Sequence, residues 1–445
     1  MAACKPLLTI CCMGGAYVCG LATAPEAQAG AFAVREQSAY FLGSAFAGSA
    51  AGDDVSSMFW NSAAAASRPG CNLSANLTAV FGSADESAHA GLFVTGAPPI
   101  APGLTPTSTN VGSSSVVPSS YGTCQLTERL YAGLGVNAPF GFLTKPDLNW
   151  AGSPIANTSK IFSTDFNPTL AYRLTPEITI GAGLQIEYFY IKLNHGSFDT
   201  VLGTPLIGSR AYEADDWAVG ATAGVLWTPT QATSIGLGYR SAVGVDVSGD
   251  YVRTPGLQTG PAISTSAAAS VTLPDEITLS IRQNVWSHLA VLATVEWQNW
   301  SRVQNVTAMS TGCAGGVCEV LNLNYRDGWF YSIGAEYAYS PWLKLRTGLA
   351  FERSPIEDST RDILLPDSRR VHLNLGASYR YTDHVTVDIG YAHLFFEDGS
   401  FCIANAALNS GSSHCTAATP AGAVLLSGKA DVSTDLLAVG LKYKF

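Results

Sequence analysis

The chain is short of charge. Of its 445 residues only 13% are Asp, Glu, Lys or Arg, about half of what a soluble domain carries. Mean hydropathy is positive all the same, at +0.18, and the two together point to a membrane. Long apolar runs are missing as well. Past the first 30 residues no run of about 18 apolar residues occurs, which excludes spanning helices. The remaining way across a bilayer is a closed β-barrel, in which neighbouring strands satisfy every backbone group. Reactive signatures are equally scarce. There is no CxxC and no His/Cys cluster, so no metal is expected. There is no GxSxG or HExxH, and the glycine-rich runs match neither phosphate-loop nor dinucleotide patterns. The seven histidines are scattered. We expect no catalytic residue and no cofactor. A net charge of −10 argues against a nucleic-acid partner and suits a surface beside anionic lipid.

What is present begins with an export signal. Lys5 supplies the positive start, Leu7–Thr23 an apolar stretch, and Ala27-Gln28-Ala29 a small-residue cleavage site, so residues 1–29 read as a signal peptide. A lipoprotein site at Cys19-Gly20 is the alternative, but the residues before Cys19 fit it poorly. Four of the ten cysteines leave with the signal and six remain. Export permits disulfides. Cys313 and Cys318 flank Ala-Gly-Gly-Val, and Cys402 and Cys415 flank a Ser/Ala/Asn-rich stretch; both pairs read as loop staples. Cys71 and Cys124 pair by default.

Gly30–Arg68 is rich in small residues and nearly uncharged. Asp53-Asp54 can cap a short helix through Val55–Trp60, and Gly43, Gly48 and Gly52 would let its backbone pack tightly against a wall. From Cys71 the pattern becomes strand, turn, strand, loop. Tight turns recur at Thr175-Pro176-Glu177, Thr228-Pro229-Thr230, Ser287-His288, Ser340-Pro341-Trp342 and Thr382-Asp383. The opposite ends are long: Ala84–Gly112, Asn194–Asp216, Gly249–Pro274, Asn305–Asn324, Glu352–Ser368 and Glu397–Gly428. Short turns on one side and long loops on the other is the outer-membrane barrel pattern, with the short turns periplasmic. We count about 14 strands. Alternation is clearest at the end, where Leu437, Val439, Leu441, Tyr443 and Phe445 share the lipid face. In Ile178–His195, Leu184, Ile186, Tyr188 and Tyr190 point out; Gln185, Glu187, Phe189, Ile191, Leu193 and His195 point in. Aromatics near the turns, Trp286, Trp297, Trp300, Trp329 and Trp342 among them, suit the bilayer interface. In Asn137–Thr144 a proline and a glycine lie two residues apart. They should break or bulge the third strand, or simply end it before a loop.

The pattern Phe32…Glu36…Leu42-Gly43…Ala47-Gly48…Asp53-Asp54…Asn61-Ser62-Ala63 resembles the N-terminal hatch of the FadL-type long-chain fatty-acid transporters of the bacterial outer membrane. The family's usual Asn-Pro-Ala stands here as Asn61-Ser62-Ala63. The resemblance implies an all-β fold: a transmembrane antiparallel β-barrel over residues 70–445 with a hatch, residues 30–69, inside. It implies passive transport of a hydrophobic small molecule, a long-chain fatty acid first, by loop capture, an interior site and a lateral gap in the wall. Asn137, Pro139, Phe140 and Gly141 resemble the family's inward kink of the third strand, which opens that gap. Phe189, Ile191 and Leu193 would line the interior site, or be ordinary filling of the lumen. Phe32 and Val34 would reach it from the N-terminus. His195 falls where the resemblance suggests a head-group arginine. Capture at the surface would use Val201, Leu202, Leu206 and Ile207, between the loops Asn194–Asp216 and Gly249–Pro274. Relatives that pass aromatic hydrocarbons are an alternative within this reading. An outer-membrane lipid hydrolase, with a Ser–His pair near the rim, is one outside it. A polar porin is disfavoured by the small and apolar inward faces.

Overall fold

The computed structural model describes residues 30–91, 105–109, 111, 114–153, 156–201, 204–254, 262–404, 413–415 and 424–445. The expected signal peptide, 1–29, lies outside them. The backbone forms a closed, antiparallel 14-strand barrel. In chain order the wall strands are β1 Cys71–Gly91, β2 Ser115–Gln125, β3 Leu130–Asn137 (resuming as Gly141–Thr144), β4 Thr158–Arg173, β5 Ile178–Val201, β6 Thr204–Thr230 and β7 Thr233–Arg240 (resuming as Val243–Thr254). Then come β8 Ile263–Leu273 with Glu276–Trp286, β9 Leu289–Gln298 with Asn305–Met309, β10 Val317–Asn322 with Gly328–Ser340, β11 Leu343–Arg353, β12 Arg370–Arg380, β13 Val385–Phe396 and β14 Val424–Lys444. β14 pairs with β1 from Asn72↔Lys444 to Gly91↔Leu426, which removes the sheet's edges.

Period-two alternation sets the faces. Leu184, Ile186, Leu437, Val439, Leu441 and Tyr443 are exposed around the outside, while Gln185, Glu187, Phe189, Leu436 and Ala438 are buried within. Two expectations need correction. Asn194–Asp216 and Gly249–Pro274 are not loops: β5 and β6 pair without a break out to Val201↔Thr204, and β7 pairs with β8 out to Arg253↔Ile263. Their Gly, Ser and Asp residues sit on hairpins that project past the bilayer, where strands need no apolar face. The turn after β6 falls at Gln231-Ala232 rather than at Thr228–Thr230. Glu352–Ser368, read as a loop, folds inward, burying Ile363, Leu364 and Leu365.

Residues 30–66 lie inside the barrel and are almost wholly buried. They form one helical turn, α1 (Ala39–Leu42), and two 3-10 turns, Val55–Phe59 and Ser62–Ala66. Asp54 caps the first 3-10 turn, accepting from Ser56 N–H at 3.0 Å, and Asn61 caps the second, accepting from Ala63 N–H at 3.0 Å. Bonds to strands all round hold the segment. Gly48 N–H donates to Thr294 Oγ1 (2.9 Å), Ala50 N–H to Ser280 Oγ (3.0 Å), Asn374 Nδ2 to Leu42 O (2.7 Å) and Ser119 Oγ to Gln37 O (2.7 Å). Ion pairs add to these. Arg282 meets Asp53 at 3.2 Å and Lys442 meets Asp54 at 3.0 Å. The Asn61-Ser62-Ala63 turn sits on a row of glycines, Gly181, Gly224 and Gly238, which are ladder neighbours on β5, β6 and β7. A Cβ on Gly238 would fall 1.6 Å from Trp60 O, and one on Gly224 1.9 Å from Asn61 Oδ1. Asn61 completes the seat by donating Nδ2 to Val225 O at 3.0 Å, and Ser62 Oγ donates to Thr222 Oγ1 at 2.6 Å.

Candidate ligand-binding site and wall gap

β3 breaks at Ala138–Phe140, between Asn137 and Gly141. Its ladder with β2 ends at Ser120↔Val136, so β2 residues 115–119 lose their β3 neighbour while keeping β1. The freed backbone turns inward and pairs with the N-terminal segment instead. Ala33 and Phe140 form an antiparallel bridge, with Val34 N–H donating to Pro139 O and Gly141 N–H to Phe32 O, both at 2.8 Å. Proline has no N–H to offer a ladder, so Pro139 sits where only its carbonyl is used. Gln37 spans what is left of the gap. Its Nε2 donates to Ala138 O (2.6 Å), and its Oε1 accepts from Ala138 N–H (3.3 Å). Wall interruption and N-terminal segment are thus one hydrogen-bonded unit.

Above this unit lies an apolar cavity of about 80 Å³. Phe32 forms part of its wall, with Phe142, Phe189, Ile191 and Leu193 from β3 and β5, and Val247 and Val271 from β7 and β8. Leu321, Leu323, Leu364 and Leu365 complete it from the segments after β9 and β11. Apolar walls with few polar groups are what a hydrophobic ligand requires. Phe32 packs edge-on to Trp300, with ring centroids 4.6 Å apart, and Phe140 touches both rings. Trp300 is therefore an interior residue, fully buried, and not one of the interfacial aromatics it was read with. Val34 faces a separate void of about 20 Å³ on the other side of the bridge, beside Arg35, Pro139, Gln185 and Arg240.

The side chain of His195 lies outside the described residues; its backbone pairs with Arg210 across the β5–β6 hairpin. Arg210 in turn pairs with Arg253 of β7. Arg210 Nη1 meets Glu319 Oε2 at 3.1 Å, and Glu319 lines the apolar cavity. Glu319 thus carries Arg210 to the cavity's edge, with Arg253 next to Arg210 on the ladder. Placing Asn194–Asp216 and Gly249–Pro274 in loops hid both arginines, although alternation through Tyr212 and Ala214 puts Arg210 on the inner face. Leu321-Asn322-Leu323 and Ile363-Leu364-Leu365 were a legible signal for the remaining lining, being apolar clusters in segments read as polar loops. Of the expected capture residues, Leu202 and the side chains of Val201, Leu206 and Ile207 lie outside the described residues.

The cysteines pair as Cys71–Cys124, Cys313–Cys318 and Cys402–Cys415. Four of the described histidines make structural bonds. His372 contacts Glu352, His393 contacts Asp435, and His384 and His414 contact main-chain oxygens of Lys444 and Asn322.

A family model described as "Outer membrane protein transport protein (OMPP1/FadL/TodX)" matches residues 20–445. A long-chain fatty acid transport protein of Escherichia coli O6:H1 is 24% identical over 401 residues, spanning 83% of this chain and 87% of the relative. Among solved structures, a Pseudomonas aeruginosa FadL homologue superimposes with a TM-score of 0.81 at 20% identity, over 93% of this chain and 100% of that one. The Ralstonia pickettii toluene transporter TbuX gives 0.62 at 19% identity, over 88% of this chain and 94% of that one.

Proposed function

The chain belongs to the OMPP1/FadL/TodX family of outer membrane transport proteins, and from that membership we propose that it carries long-chain fatty acids passively through the outer membrane. The observation that carries this reading is the apolar cavity standing directly on Phe32 and the interrupted β3. Part of the acyl tail occupies the cavity between Phe189, Ile191, Leu193 and Val247. The carboxylate lies at the outer end, against Arg210 and Arg253, where a guanidinium can bind it through two parallel hydrogen bonds. The Ala33–Phe140 bridge closes the path below. When residues 32–37 shift, the bridge and the Gln37 bonds part together, and the tail passes through the wall beside Ser115–Ser119 into lipid. Residues 30–69 act as the hatch in this scheme, and Asp53, Asp54, Asn61, Ser62 and Ala63 anchor its lower part while its upper part moves. Lateral release suits a molecule that dissolves in lipid and gains nothing from a watery pore. No energy source is needed beyond the partition gradient.

The test is uptake of a labelled long-chain fatty acid, with toluene in parallel, in cells lacking their own transporter and expressing this chain. Fatty-acid uptake supports the proposal. Toluene uptake alone keeps the path and moves the substrate to aromatic hydrocarbons. Uptake of neither by a correctly assembled barrel overturns it.

A further inference from the structure

The wall is also interrupted between β6 and β7, as it is above Glu276↔Gln298 between β8 and β9. The β6–β7 ladder runs from Trp227↔Ile235 to Thr222↔Arg240, stops, and resumes at Asp215↔Ser248. Residues 216–221 of β6 and 241–247 of β7 have no ladder partner in each other. β7 itself is interrupted only at Ser241-Ala242. From Val243 to Val247 it stays paired with β8 while Val243, Val245 and Val247 turn inward and are buried. Three bonds still cross the break. Ser241 N–H donates to Ala221 O and Ala221 N–H to Ser241 Oγ, each at 2.8 Å, and Asp246 N–H donates to Asp216 Oδ2 at 2.7 Å. Between them the rim carries Trp217 and Val219, 58% and 67% exposed on the lipid face. Unpaired backbone at membrane depth is tolerated only where it lines a cavity or is covered by protein.

Behind this rim the polar cover is one side chain, beside the buried Val243 and Val245. Gln185 of β5 donates Nε2 to Ala221 O (3.1 Å) and Ser241 O (3.2 Å), lying across the break from inside. Gly220 leaves room for it; a Cβ there would stand 2.8 Å from both Gln185 Nε2 and Val243 Cγ2. Gln185, Ser241 and Val243 also line the small void that reaches Val34, Pro139 and Phe140. Val247, at the upper end of the break, lines the apolar cavity. Ala221 is nine residues above the short turn that ends β6 at Thr230. At about 3.3 Å per residue and a tilt near 40°, Ala221 stands roughly 23 Å up and Asp216 roughly 35 Å up, against an apolar band about 25 Å tall. The break therefore opens at the outer edge of the bilayer.

The geometry points to a second lateral window between β6 and β7, latched by Gln185, through which a single-chain amphiphile dissolved in the outer half of the membrane enters the barrel. This rests on the transport reading above and adds an entrance to it that bypasses the extracellular loops.

The six described cysteines are all paired, so a cysteine placed at the window offers the one free thiol among the described residues. We would make Ala242→Cys, modify it with pyrene maleimide after barrel assembly, and measure labelled fatty-acid uptake, with Leu279→Cys on the lipid face of β8 as control. A several-fold fall on modification at 242 and none at 279 is expected. Equal rates before and after modification at 242 overturn the window. Gln185→Ala, unmodified, should raise uptake. A diazirine fatty acid added to the purified wild-type barrel in lipid separates the two proposals. Adducts on the inward-facing Gln185 and Val243 support the window even if cells show no net uptake, which would overturn transport alone; their absence overturns the window.

Discussion

Arg35 Nη2 lies 2.5 Å from Glu296 Oε1 on β9, and its Nη1 lies 3.0 Å from Glu352 Oε1 on β11. All three side chains are buried. One residue of the N-terminal segment thus neutralises two carboxylates on separate strands of the wall, just below the Ala33–Phe140 bridge. Removing it leaves Glu296 without a cation, while Glu352 keeps Arg370 at 2.9 Å, and breaking a buried pair by deleting one partner costs about 3–5 kcal/mol. Arg35→Ala should undock residues 30–38 without unfolding the barrel, whose ladder does not include them. Hydrogen exchange of the 31–38 amides should rise by at least tenfold, with strand amides unchanged.

The glycine row on β5, β6 and β7 sets a second expectation. Because a Cβ on Gly238 would meet Trp60 O at 1.6 Å, Gly238→Ala cannot be absorbed by a side-chain rotation. The clash exceeds ordinary overpacking, which costs about 1–3 kcal/mol. Either Trp60-Asn61 or β7 must move, and the wall is held by ladders on both sides. The lower part of the segment should therefore shift, and planar-bilayer recordings should show ionic conductance where the wild type shows little.

Alternation made the barrel legible. Leu437, Val439 and Leu441 announce a lipid face, and the same parity put Phe189, Ile191 and Leu193 on the inner face, where they line the cavity. Pro139 and Gly141 marked the break in β3, since neither supports a regular ladder. Asp54 was legible as the cap of a short turn beginning at Val55, whereas the second turn, capped by Asn61, was not. Other features left no local trace. Trp300 looks like any interfacial tryptophan, because nothing nearby says that the chain dips into the lumen after Gln298. Arg210 was hidden because hairpins beyond the bilayer lose their apolar face and read as loops. The β6–β7 break is invisible for a different reason: Ser241-Ala242 is an unremarkable dipeptide, and only pairing shows that β7 follows β8 rather than β6.

Arg210 bears on substrate class. If it holds the carboxylate, Arg210→Ala should raise the half-saturating fatty-acid concentration by at least tenfold, the effect of losing one charge-assisted hydrogen bond of about 1.5–3 kcal/mol. Toluene, without a charge, should be taken up as before. Competition assays with both substrates on one variant make the comparison internal.

Glu36 makes docking of the segment depend on pH. Burial pushes its carboxyl from the ordinary 4.5 up to about 7, against the opposing pull of Arg35 beside it. A carboxyl raised in the docked state holds its proton more tightly there than when free. Docking is therefore fully favoured below pH 4.5 and weakens as pH rises toward 7, with a cost on the order of 3 kcal/mol complete above that. Glu36→Gln should remove the slope and hold residues 31–38 as firmly at pH 8 as at pH 5. Amide exchange across that range, corrected for intrinsic rates, checks it.

The β3 interruption is the sharpest point of the release route. Pro139→Thr, Phe140→Val and Gly141→Thr together would supply the missing N–H, raise β propensity, and let the strand continue along Ser115–Ser119 of β2. The freed edge of β2 would gain its partner, so the barrel should be no less stable and should keep its shift on unheated gels. The N-terminal segment would lose the bonds from Val34 N–H and Gly141 N–H. With the wall sealed, uptake of fatty acid and of toluene should both fall at least tenfold, because neither has another way out to lipid in the lower half of the barrel. Retention of wild-type uptake by the sealed barrel would mean that molecules leave through the periplasmic mouth, past Arg68 and Lys442, and the hatch would then have to open fully rather than shift.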